Sequence, residues 1–159
     1  MDTRILSEYF KKCFVAVDGL WFMMLEKEDS FDKALEIDSR VWEILPKIQA
    51  RKVKELLNLE TGNMDGLVNA FKFKLDAEDF VSEIIKKDSK INIIIRECPW
   101  LALLKQSNRE HLAEKVSNAI CSVEYPVFAR EFIKDIDFKI VSSRCSGDKV
   151  CSFMLEQKV

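Results

Sequence analysis

Glycine is scarce in this sequence: Gly19, Gly62, Gly66 and Gly147 are the only four in 159 residues. A loop that cradles phosphate needs closely spaced glycines ahead of a helix. No grouping of these four provides one, so P-loop and dinucleotide fingerprints are excluded as motifs. Histidine is scarcer still. His111 stands alone, which removes His-rich zinc sites and HExxH chemistry and leaves one candidate partner for a Cys–His or Ser–His pair. No apolar run approaches the roughly 20 residues that a membrane-spanning helix needs. Met1-Asp2-Thr3-Arg4 begins no signal-peptide pattern, so a cytoplasmic protein without a membrane partner is expected. Neither sign of charge dominates, with 25 Lys and Arg against 27 Asp and Glu and a net charge of −2. Nucleic acid is therefore not an expected partner, because phosphate binding needs a basic field.

What is present is a foldable chain. Hydrophobic residues make up 48% and charged residues 33%, a balance that can bury a core. One domain is expected over 1–159, with a helical body over 1–75 and a cysteine-bearing part over 76–159. Leu6, Phe10, Phe14, Val17, Trp21 and Met24 recur at steps of three and four and predict a helix over 3–28. A second long helix is predicted from about 31 to 58, kinked at Pro46, and a short third carries Leu67, Val68 and Phe71 inward. Near Asp76 the period changes. Runs at 80–85 and 91–95 read as a hairpin that Cys98-Pro99 stops. A helical turn at 100–105 follows. Ser107 to Glu110 reads as a capping box for a helix to about 120, and 125–133 as another short helix begun by Pro126. Strands at 137–144 and 149–155 close the chain around the turn Ser146-Gly147-Asp148. The expected fold is α+β: a helical body packed on an antiparallel sheet of about four strands, in a ββααββ order with two inserted helices.

Cysteine is where the chemistry gathers. Four of five thiols, Cys98, Cys121, Cys145 and Cys151, fall in the second part, each at the edge of an expected element. In a reducing compartment such thiols are free, metal-bound or catalytic rather than bridged, and an odd count argues against a disulfide framework. Four thiolates suit zinc or an iron–sulfur cluster, because soft ligands favour those centres. Scattered single cysteines are also what small buried hydrophobes look like. As a nucleophile Cys98 is the better candidate, since it precedes a helical turn whose N-terminal field would favour the thiolate. Cys121, expected just past a helix end, is the second. Cys13 reads as packing, and His111 as a surface histidine.

Two carboxylates, Asp18 and Asp38, fall in line with the aromatic stripes, where a carboxyl pKa rises or a buried Asp simply pairs. Trp21, Trp42 and Trp100 are either core or the lining of a pocket for a small organic ligand between helical body and sheet. Arg96, Arg109, Arg130 and Arg144 lie near the cysteines in sequence and could clamp a carboxylate ligand or form surface ion pairs.

Val17-Asp18-Gly19-Leu20-Trp21-Phe22, Ala34 to Asp38 with Trp42, Cys98-Pro99-Trp100, Arg109-Glu110-His111-Leu112 and Ala119-Ile120-Cys121 resemble a group of uncharacterised proteins from archaea and anaerobic bacteria. That group is similar to the L-2-amino-thiazoline-4-carboxylic acid hydrolase-like family, and the resemblance covers nearly the whole chain. The ending, Arg144-Cys145 through Gly147-Asp148 to Cys151 and Phe153, resembles the closing motif of the four-vinyl-reductase domain. The resemblance implies a small-molecule binder whose cysteines hold a metal. Three expectations follow: a cysteine-rich site with zinc or an iron–sulfur cluster and a small ligand; a hydrolase of a cyclic C–N or C–S bond using Cys98 or Cys121; and a ligand sensor or accessory protein without chemistry. The oligomeric state is left open, a homodimer included.

Overall fold

The structure, a computed structural model, describes residues 2–158. It divides into two compact units, one ending at Val41 and the other beginning at Trp42. The first unit is helical. Helix α1 spans Thr3–Glu28, capped by Asp2, whose carboxylate accepts from the Arg4 amide at 2.9 Å. Helix α2 spans Phe31–Trp42, with the Ser30 hydroxyl accepting from the Lys33 amide. Phe22 and Phe31 meet edge to face at 5.5 Å. The least exposed positions of α1 include Lys11, Val15, Asp18, Phe22 and Leu25. The stripe expected from sequence, Leu6 through Met24, is exposed instead.

The single helix expected over 31–58 is two helices. Helix α3 spans Leu45–Leu57, and the break falls at Glu43 and Ile44. Proline has no N–H for the carbonyl four residues earlier, and its ring clashes there. For Pro46 that carbonyl belongs to Trp42, where α2 ends. Pro46 then sits in the first turn of α3, where its missing donor costs nothing.

The rest of the second unit is the expected α+β arrangement. Helix α4 (Met64–Ala77) is followed by strands β1 (Val81–Lys87) and β2 (Lys90–Glu97), helices α5 (Pro99–Gln106) and α6 (Ala113–Arg130), and strands β3 (Ile136–Ser142) and β4 (Cys151–Gln157). The sheet is antiparallel with order β1-β2-β4-β3. Its buried face carries Ile91, Ile93 and Ile95 of β2 beside Leu155, Phe153 and Cys151 of β4, paired in that register. Helix α4 packs against β1, and α6 against β3 and α3. Phe71, Tyr125, Phe128 and Phe153 fill the space between, with Tyr125 and Phe153 at 4.3 Å. Among the described residues no helix is long and apolar enough to cross a membrane.

Two sequence expectations about α6 are corrected. No capping box forms at Ser107. Helix α5 runs on to Gln106, so Ser107 is spent at its C-terminus, donating to the Leu103 and Leu104 carbonyls. A short 3₁₀ turn over Glu110–Leu112 then leads into α6. Nor does the helix stop near 120. It passes through Pro126 to Arg130 without a break. Tyr125, Pro126, Phe128 and Ala129 are all buried. Their packing offsets the one backbone bond that the proline removes.

At the heart of this packing lies a buried ion cluster. Lys74 of α4 is 4% exposed and Glu124 of α6 is 5% exposed. The Lys74 ammonium donates to Glu124 at 2.6 Å and to Glu78, one turn along α4, at 2.7 Å. Gln49 of α3 donates to the other Glu78 oxygen at 3.1 Å. The two carboxylates hold the Lys74 pKa above the ordinary lysine range despite its burial. Burial raises the Glu78 carboxyl in spite of the ammonium beside it. Lys74→Met should leave two buried carboxylates unpaired and cost about 3–5 kcal/mol in urea unfolding. Adding Glu78→Leu and Glu124→Leu should recover most of that loss. A carboxyl raised on folding makes stability fall as pH climbs from the unfolded-state value through the folded one. Glu78→Gln should therefore flatten the stability–pH curve in that window.

Candidate functional site

Three chain segments reach the same end of the sheet. Strand β2 runs out there, and Cys98 follows as the N-cap of α5. Strand β3 also ends there, and its connection to β4 carries Cys145 in a 3₁₀ turn, Arg144–Ser146, closed by Gly147 at φ 99°. Only glycine takes that backbone angle without strain. Strand β4 begins there with Cys151, opposite Ile95 on the buried face. Helix α6 supplies the fourth thiol. Cys121 is not past a helix end, as the sequence suggested, but in the middle of α6. Ser117, Cys121, Glu124, Tyr125 and Phe128 are spaced along one side of that helix at steps of three, four and one.

The four thiols are electrostatically coupled. Cys98 lies within electrostatic reach of Cys145 and Cys151, and Cys121 within reach of Cys98 and Cys145. Serine hydroxyls link them. Ser117 bonds to Cys121 at 3.5 Å and also serves Cys145. Buried Ser143 serves both Cys145 and Cys151. The Arg144 amide donates to the Cys151 sulfur at 3.3 Å. The connecting loop is held by the Asp148 carboxylate, which accepts from the Ser143 amide at 2.9 Å, and by Ser146, which donates to Glu114 of α6. All five cysteines are free thiols.

Burial sets their chemistry. It pushes Cys98 up to about 12, although the Trp100 and Leu101 amides of the α5 N-terminus approach the sulfur and oppose the shift. It pushes Cys121 well up, with the Glu124 carboxylate adding to the effect. Cys145 and Cys151 are raised for the same reason, with Arg144 and the serine hydroxyls acting in the opposite direction. Unliganded, these are neutral thiols at physiological pH. Among the described residues no three His, Cys, Asp or Glu side chains already stand as a metal-holding group.

The remaining sequence candidates separate. Cys13 lies on α1 beside Tyr9, whose phenol it raises through a hydrogen bond. His111 is exposed. Asp18, Trp21 and Asp38 belong to the first unit, where burial raises the Asp18 carboxyl and Trp21 is exposed. Trp42 and Trp100 belong to the second and meet edge to face at 6.1 Å. Of the four arginines, Arg144 reaches the thiols, and Arg96 pairs with Glu83 on the outer face of the sheet. Sequence reasoning missed the ion cluster at the back of the site. Tyr125, its phenol raised by burial, also feels Glu124, Cys121, Cys98 and Glu78. A signal was present: Lys74 and Glu78 continue the spacing of Leu67 and Phe71, a charged pair on an apolar stripe.

A family model described as a family of unknown function (DUF6125) matches residues 3–154. The chain belongs to this family. The match takes in all four thiols, Lys74, Glu78 and Glu124. No curated protein matches the chain.

The thiol titration gives a direct check. In the folded protein, carboxymethylation of Cys98 should be slow at neutral pH and rise about tenfold per pH unit toward pH 11, as thiolate forms. In urea the same cysteine should react as an ordinary thiol. Rapid alkylation of Cys98 in the folded protein at pH 7, mapped by mass, would contradict its desolvation.

Proposed function

We propose that this chain is a small-molecule-binding protein built around a thiol site, in which Cys98, Cys121, Cys145 and Cys151 take up zinc or an iron–sulfur cluster. What supports this reading is that the segments bearing Cys98, Cys145 and Cys151 meet at one end of the sheet and that Cys121 of α6 is electrostatically coupled to Cys98 and Cys145. The donor set suits a soft centre, since thiolates select zinc and iron–sulfur clusters over hard cations. When bound, the metal would hold these sulfurs as thiolates and supply Lewis-acid or redox chemistry to a ligand beside them. The sulfurs must close on it from their present positions. The connection carrying Cys145 is short and tied down mainly by its own hydrogen bonds, so it is the part that can shift. Ser117 and Ser143 would continue to donate to the thiolates, which tunes such centres.

A second reading is a hydrolase acting on a cyclic C–N or C–S bond with Cys98 or Cys121 as nucleophile. The helix N-terminal amides near Cys98 favour it, as does the resemblance to the hydrolase-like family. Burial of both sulfurs weighs on the other side, because the thiolate is the nucleophile.

Protein purified without oxygen should carry zinc or iron by elemental analysis. Cys→Ser at 98, 121, 145 or 151 should each lower the metal content and the melting temperature, whereas Cys13→Ser should change neither. Because each thiol must lose its proton to bind, affinity should rise steeply with pH. Metal-free protein whose four variants all melt with the parent would sink the proposal.

A further inference from the structure

Helix α1 presents an apolar stripe that its own unit does not cover. Leu6, Phe10, Phe14, Val17, Trp21 and Met24 are between 38% and 68% exposed. From Phe10 to Met24 their steps are four, three, four and three, the spacing of a coiled-coil seam, and Leu6 lies one further step of four back. The helix is 26 residues long, enough for a seam of this kind. Large exposed apolar patches on a folded chain mark an interaction surface.

The stripe is nearly palindromic. Leu6 and Met24, Phe10 and Trp21, and Phe14 and Val17 are disposed in pairs about a point near residues 15 and 16. The charge is arranged about the same point. Residues 3–15 carry Arg4, Lys11 and Lys12 against Glu8, a formal net charge of +2. Residues 16–28 carry Asp18, Glu26 and Glu28 against Lys27, a net charge of −2. A surface whose shape and charge match themselves on half-turn rotation is what a two-fold interface requires.

We propose that α1 is a homodimerisation helix, pairing antiparallel with α1 of a second copy of this chain through the stripe from Leu6 to Met24. Phe10 then packs against the partner's Trp21, and Phe14 against the partner's Val17. The basic half of each helix lies along the acidic half of the other. A parallel pairing would set like charges together and is disfavoured.

Sedimentation of the full chain should give a particle of about 37 kDa, twice the 18.5 kDa of one chain. Val17→Glu with Trp21→Glu should give a monomer whose circular dichroism is that of the parent. Lys11→Glu with Lys12→Glu leaves both halves of α1 negative and should weaken the dimer about tenfold or more at low salt. Adding Glu26→Lys and Glu28→Lys reverses both halves and should restore it. Four results would overturn the proposal. They are a parent chain that stays monomeric at its highest soluble concentration, a dimer that survives the Val17 and Trp21 changes, and a charge reversal that fails to rescue. The last is a monomer that instead sediments with phosphatidylcholine–phosphatidylglycerol vesicles.

Discussion

A buried lysine ammonium must be met by opposite charge, and in this protein meeting it ties three helices together. Lys74 projects from α4 and is held by Glu78 of its own helix and by Glu124 of α6, while Gln49 of α3 steadies Glu78. Such a cluster contributes little net stability, because desolvation consumes most of the attraction. Its effect is on register. If α6 rotated or slid by one residue, Glu124 would leave the ammonium and two buried charges would lose their partner. The same position of α6 sets Tyr125 against Phe153 and Cys121 toward the end of the sheet. The thiol site thus inherits its geometry from an ion pair one helical turn away.

Burial gives the thiols a double character. Desolvation shifts each toward its protonated form, and each feels others whose ionisation would be mutually unfavourable. Under the proposed function a soft cation would resolve that conflict, replacing several protons with one centre that the sulfurs share. The serines between the sulfurs fit this role, since a hydroxyl accepts from a thiol and donates to a thiolate. Arg144 adds positive charge on the side of Cys145 and Cys151. The N-terminal amides of α5 add partial positive charge at Cys98.

The outline of the fold was readable without coordinates because its signals are local. The 3.6-residue repeat marked α1 and α4, β-branched runs marked the two hairpin strands, and Gly147 marked the left-handed turn before β4. The misreadings have one origin. Pro46, Ser107 and Pro126 each carry a local preference, and neighbours settled how it was used. Pro46 had the Trp42 carbonyl four residues back and ended a helix. Pro126 had buried aromatics on either side and did not. Ser107 could cap either helix, and α5 reached it first.

Within the site the division is similar. Sequence alone determined that four of the five thiols fall in the second part of the chain, that Cys145 and Cys151 flank one turn, and that Cys98 stands at a helix N-terminus. Each of these is fixed by a few adjacent residues. Tertiary structure decided that Cys121 joins them, since that depends on the register of a helix locked by Lys74, Glu78 and Glu124. It also decided that the thiols, Cys151 buried and the other three half-buried, are shifted toward their neutral form, because desolvation is a property of everything packed around a group. Finally, it decided that the stripe of α1, which periodicity marks as an apolar face, is left exposed; periodicity shows that a face is apolar but not what covers it.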